Sequence, residues 1–172
     1  VDLFGLGERM ITSKSDPVFG GVYKLAAIEK EDGTIVPKIK ISENVGKIIN
    51  PHFKKVYRIF DKATGKAEAD YITVWDEVIE EGQPLELFDP DATWKRRTYT
   101  DYTIKPLQEK IFDHGELVYQ QPTLPEIQKY CREQIDTLWD EVKRFDYPHK
   151  YYVDLSDKLW DIQQHLLRSS QE

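Results

Sequence analysis

The sequence predicts an α+β fold in which a β-hairpin-rich region precedes a C-terminal antiparallel helix pair. Three observations carry it. Runs that alternate with period two, such as Lys54-Lys55-Val56-Tyr57-Arg58-Ile59-Phe60, recur between residues 19 and 75. Turn chemistry separates them, most clearly at Asp32-Gly33 and at Asp61-Lys62-Ala63-Thr64-Gly65. Beyond residue 122 the period changes to three and four, through Leu124, Ile127, Cys131, Ile135, Leu138, Val142 and Phe145.

In chain order, residues 1–4 read as a short buried strand that needs a partner sheet, ending in the Gly5-Leu6-Gly7 loop. A Gly-x-Gly after a strand is either a plain tight turn or a loop whose backbone N–H groups can approach a phosphate, because glycine has no side chain to hold the ligand away. Residues 19–29 form a strand interrupted by Gly20-Gly21, and Glu31-Asp32-Gly33-Thr34 turns it into residues 35–41 as a hairpin. Residues 42–53 are a loop or broken helix containing Asn50-Pro51. Residues 54–60 and 66–75 make a second hairpin, with Ile72 and Val74 on one face and Tyr71, Thr73 and Trp75 on the other.

The acidic segment 76–81 fits a solvated loop better than a divalent-cation loop, whose ligand spacing it lacks. A short edge strand at 85–88 follows, then strand-like spacing from Trp94 to Leu107 broken by Pro106, and a small hairpin around Asp113-His114-Gly115-Glu116. Thr123-Leu124-Pro125-Glu126 has the form of a capping box, opening a long amphipathic helix that Phe145 to His149 stops. Cys131 lies on its apolar stripe and reads as a small core residue. Asp154 or Ser156 can cap a last helix bearing Leu155, Leu159, Ile162 and Leu166.

Composition narrows the function classes. Lys and Arg number 24 against 31 Asp and Glu, a net charge of -7, which disfavours a surface built to coat itself with phosphate backbone. The basic run Lys95-Arg96-Arg97 reads as a solvated turn. Neither a nucleic-acid nor a membrane partner is expected. A single cysteine permits no internal disulfide and fits a reducing compartment. His52, His114, His149 and His165 lack metal-ligand spacing, so no metal site is expected. The chain begins with Val inside an apolar run, which reads as a piece of a longer polypeptide.

The continuous run Val1-Asp2-Leu3-Phe4-Gly5-Leu6-Gly7-Glu8-Arg9-Met10-Ile11-Thr12-Ser13-Lys14, extending through Pro17 and Gly20-Gly21 to Leu25, resembles the nicotinate phosphoribosyltransferase family. Pro37-Lys38-Ile39-Lys40-Ile41-Ser42-Glu43-Asn44, with Lys47 and Asn50-Pro51, is similar to the family's next block, and Pro148-His149 with Val153 to Asp161 is similar to its close. The resemblance implies the C-terminal third of an enzyme that joins nicotinate to phosphoribosyl pyrophosphate in NAD biosynthesis, coupled to ATP hydrolysis through a phosphorylated histidine. It implies that residues 1–14 end an α/β barrel, that 15–60 pack against that barrel and an N-terminal domain, and that 61–172 form a β-plus-helical domain.

Gly5, Leu6, Gly7 and Glu8 then match a loop that cradles the 5′-phosphate of the ribose. Many relatives have threonine at the position of Glu8, so a backbone contribution is expected there. The phosphorylated histidine, the nicotinate clamp and the acidic residues for sugar and Mg²⁺ belong to earlier parts of the family's chain. None of the four histidines inherits that role, no catalytic residue is expected here, and the isolated chain is expected to be inactive. The family resemblance further implies ATP and Mg²⁺ as cofactors of the full enzyme and a cytoplasmic homodimer. The competing expectation is a non-catalytic domain serving packing or subunit contact.

Overall fold

The alternating β-branched and aromatic runs form ten strands in a computed structural model that describes residues 2–7 and 21–169. Strands β1 (Ala27–Glu29) and β2 (Ile35–Pro37) pair antiparallel across the Asp32-Gly33 turn, with Gly33 at φ 80° supplying a conformation that other residues adopt at a cost. β3 (Lys54–Asp61) and β4 (Ala67–Val74) form the second expected hairpin, whose turn places Gly65 at φ 68°. β5 (Leu85–Asp89) pairs with β6 (Ala92–Tyr99), β7 (Tyr102–Pro106) with β3, and β8 (Phe112–Asp113) with β9 (Glu116–Leu117). Helices α1 (Leu124–Asp136) and α2 (Asp140–Lys143) precede β10 (Tyr152–Leu155), and α3 (Asp157–Ser169) ends the described chain.

The central sheet has the order β10-β4-β3-β7, and β10 joins it parallel to β4 with Asp154 opposite Tyr71. Strand β4 is covered on both faces, as its alternation demands. On one side Ala69 and Tyr71 pack with Ile59, Leu87 and Tyr102. On the other, Val74 meets Leu155 and Leu159, with Ile72, Trp160 and Ile162 around them. Burying a Leu or Val side chain contributes about 1.5–3 kcal/mol, so these two clusters hold α3 and the β5–β6 ribbon onto the sheet.

Four expectations are corrected. Residues 2–7 form neither strand nor helix, and Phe4 is 75% exposed, because an isolated strand has no partner for its N–H and C=O groups. The antiparallel helix pair is replaced by α1, α2, β10 and α3: a strand intervenes, and α3 packs on β4. The long helix stops at Asp136 although its apolar spacing runs on to Phe145. There the Lys66 ammonium donates to the Asp136 carbonyl at 2.7 Å and to that of Leu138 at 3.3 Å, while the Ala67 N–H donates to the Thr137 carbonyl at 2.8 Å. The helix end is drawn onto the β3–β4 hairpin, and a tertiary bond overrides propensity. Helix α1 buries none of its residues, so Cys131 is exposed and is no core residue.

Candidate functional site

Gly5, Leu6 and Gly7 lie in an exposed segment without regular structure. A Cβ added at Gly5 or Gly7 meets nothing within 4 Å, so approach to that backbone is sterically open. Glu8, the fourth residue of the expected phosphate loop, lies outside the described residues, as do residues 9–20.

A second, unexpected site forms where β10 crosses the β5–β6 ribbon. Because side chains alternate along a strand, Val153 and Leu155 line a groove on the α3 side, leaving Tyr152 and Asp154 to face β5 and β6. Leu87, Asp89, Lys95, Arg96, Arg97 and Tyr99 complete a cavity of about 230 Å³ around them. The Lys95-Arg96-Arg97 run is therefore part of strand β6 and a cavity wall, not a turn.

The charges in this cavity are partly matched. Asp89 accepts from the Lys150 ammonium at 3.0 Å and from the Asp91 N–H at 2.9 Å. Burial works against its charge, yet these two donors hold its carboxyl below the ordinary carboxylate value. Arg96 pairs with Glu86 and lies over the Phe88 ring; Arg97 pairs with Glu68 at 2.9 Å and lies over Tyr99. Burial pushes the Tyr99 hydroxyl up to about 12. Asp154 differs, since its Oδ1 is buried without a hydrogen-bond partner. Desolvation, with the nearby Asp89 charge, raises its carboxyl to about 6. A charged residue in an apolar strand is the only trace of this in the sequence, where Asp154 reads as a helix cap.

The acidic segment proves structural. Asp76 binds the Lys158 ammonium at 2.8 Å, Glu77 accepts from the Val74 N–H at 2.6 Å and the Ser156 hydroxyl at 2.8 Å, and Glu81 accepts from the Ile104 N–H at 2.8 Å. Among the described residues no three His, Cys, Asp or Glu side chains come together to hold a metal ion. His52 and His114 occupy positive-φ turn positions, and the His149 N–H ties its loop to the Glu141 carbonyl at 2.9 Å. No described helix is long and apolar enough to cross a membrane.

Residues 53–163 match a sequence-family model described as the nicotinate phosphoribosyltransferase C-terminal domain. The chain belongs to this family. A relative from Bacillus subtilis (strain 168) named nicotinate phosphoribosyltransferase is 42% identical over 160 residues, covering 93% of this chain and 32% of the relative. A Caenorhabditis elegans protein of the same name is 35% identical over 166 residues, covering 94% of this chain and 28% of its own length. The chain thus spans about a third of the length of the curated relatives it matches. The fold is similar to the crystal structure of human nicotinic acid phosphoribosyltransferase, with a TM-score of 0.62 at 21% identity over 68% of this chain and 23% of that one.

Proposed function

We propose that this chain is the C-terminal portion of a nicotinate phosphoribosyltransferase, a cytoplasmic homodimer that converts nicotinate and phosphoribosyl pyrophosphate to nicotinate mononucleotide and pyrophosphate in NAD biosynthesis. The observation that carries this reading is the 42% identity to the Bacillus subtilis relative across 93% of the chain. Breaking the bond from ribose C1 to pyrophosphate builds oxocarbenium character, so rate depends on anchoring the phosphates while the nicotinate nitrogen is oriented for attack. The backbone N–H groups of Leu6 and Glu8, with Gly5 and Gly7 keeping the approach open, serve as the anchor for the 5′-phosphate.

ATP and Mg²⁺ are the expected cofactors of the whole enzyme. No three candidate ligand side chains gather among the described residues, so a Mg²⁺ held by protein side chains alone has no place there. In this reading both are held by the remainder of the enzyme, and the chain alone is inactive. A second, compatible reading makes the domain a packing and subunit-contact element. It is favoured by α1, whose Leu124, Ile127, Tyr130 and Ile135 stand exposed.

The test is a chimera in which this chain replaces the matched region of the Bacillus subtilis relative. Formation of nicotinate mononucleotide from nicotinate, phosphoribosyl pyrophosphate and ATP is followed by chromatography. The chimera is expected to turn over, the 172-residue chain alone is not, and Gly7→Asp in the chimera is expected to raise the KM for phosphoribosyl pyrophosphate at least about tenfold by setting a carboxylate against the phosphate. A folded but inactive chimera sinks the transferase reading. An unchanged KM sinks the phosphate-anchor assignment, and turnover by the isolated chain sinks its inactivity.

A further inference from the structure

The cavity between β5, β6 and β10 carries an inference independent of the transferase reading. Asp154 is only 6% exposed, and its carboxyl accepts no hydrogen bond among the described residues. A buried carboxylate without donors is costly, so a cavity beside one is suited to a ligand that brings a donor. The other acidic wall residue, Asp89, is already bound by Lys150, and Arg96 and Arg97 are bound by Glu86 and Glu68. Lys95 forms no ion pair with a described residue and acts on Asp89 only through space, as Lys150 does on Asp154. The lining therefore holds one carboxyl that no donor reaches and one ammonium outside any ion pair, with Leu87, Tyr99 and Tyr152 adding apolar surface.

Size and charge restrict the occupant. A volume of about 230 Å³ falls below that of pockets for nucleotide-sized or drug-sized ligands. A bare divalent cation wants several oxygen ligands, whereas only one carboxylate is available and three cationic side chains stand nearby. A simple amine satisfies Asp154 but adds a second cation near Lys95, and a simple anion can face Lys95 but adds a second negative charge near Asp154. We propose that this cavity binds a small zwitterion of the α-amino acid class, its ammonium donating to the Asp154 carboxylate, its carboxylate facing Lys95 and its side chain lying against Tyr99 and Tyr152.

The test is isothermal titration of the full chain with the common L-α-amino acids, using methylammonium chloride and sodium acetate as the two half-ligands, in the absence of nicotinate and phosphoribosyl pyrophosphate. At least one amino acid is expected to bind with a Kd of about 1 mM or tighter. Asp154→Asn should weaken that binding at least about tenfold. Lys95→Ala, at an exposed position, should weaken it several-fold, with near-UV circular dichroism unchanged. In the unmodified chain, carbon-13 titration of the Asp154 carboxyl should show its midpoint falling when the ligand saturates. Absence of binding by every amino acid, methylammonium binding as tightly as the best of them, unchanged affinity in Asp154→Asn or Lys95→Ala, or an unmoved Asp154 midpoint would each overturn the assignment. None of these results bears on the chimera, because the phosphate loop and the transferase substrates are not involved.

Discussion

Asp70 and Asp154 both sit in the packed part of the sheet, and their partners separate them. Asp70 accepts two guanidinium bonds from Arg58, at 2.8 and 3.0 Å, and a third from the Tyr151 hydroxyl at 2.9 Å. Those bonds hold the Arg58 charge on, while burial, with the Asp70 charge, keeps the Tyr151 hydroxyl protonated. Asp154 has no such donors, and its carboxyl lies at about 6 where 3.8 is ordinary. A carboxyl whose folded pKa is raised binds its proton more tightly in the native state, so stability falls as pH rises from about 4 to above 6. A shift of this size corresponds to a loss on the order of 3 kcal/mol. Asp154→Asn is expected to flatten that dependence and to make the fold more stable by about 1–3 kcal/mol near pH 8. Urea midpoints at both ends of the window check this, and an identical pH slope in the variant contradicts it.

At the scale of elements, Ser156 joins three pieces of chain. Its hydroxyl oxygen accepts the Leu159 N–H at 3.2 Å, capping α3, and its O–H donates to Glu77, which in turn receives the Val74 N–H at the end of β4. The Ser156 N–H also donates to the Ile72 carbonyl at 2.9 Å, continuing the β10–β4 ladder. Helix start, strand end and the turn after β4 thus share one hydroxyl. Ser156→Ala is expected to cost about 1–3 kcal/mol, combining a lost cap with a carboxylate deprived of one of its donors. Thermal melts compare it with the parent, and a change below about 0.3 kcal/mol would count against the shared-hydroxyl account.

At the scale of the whole molecule, two helices of equal length, 13 residues each, have different standing. α3 buries Leu159 and Gln163, and the Gln163 amide donates to the Asn50 side chain at 2.9 Å, tying the last helix to the loop before β3. α1 buries nothing and is held at its C-terminal end by Lys66 and Ala67. Amide hydrogen exchange of the isolated chain should therefore protect α3 close to the global opening free energy, while α1 exchanges through local opening at least about a hundredfold faster. Equal protection of the two helices would contradict this.

Local chemistry made much of this legible in advance. Asp32-Gly33 and the 61–66 turn fix two hairpins because their backbone demands do not depend on distant residues. The Thr123-x-x-Glu126 box starts α1 where expected, with the Thr123 N–H donating to Glu126 at 2.7 Å. Ile72 and Val74 separate from Tyr71 by alternation alone. Local sequence signals therefore specify the hairpins around residues 33, 65 and 115, the start of each long helix and the family. Long-range contacts make β10 a strand parallel to β4, end α1 against Lys66, leave the apolar stripe of α1 uncovered, and bring Asp154 and Lys95 to one cavity. Each of these depends on groups far apart in the chain, and periodicity carries information only about neighbours two to four residues away.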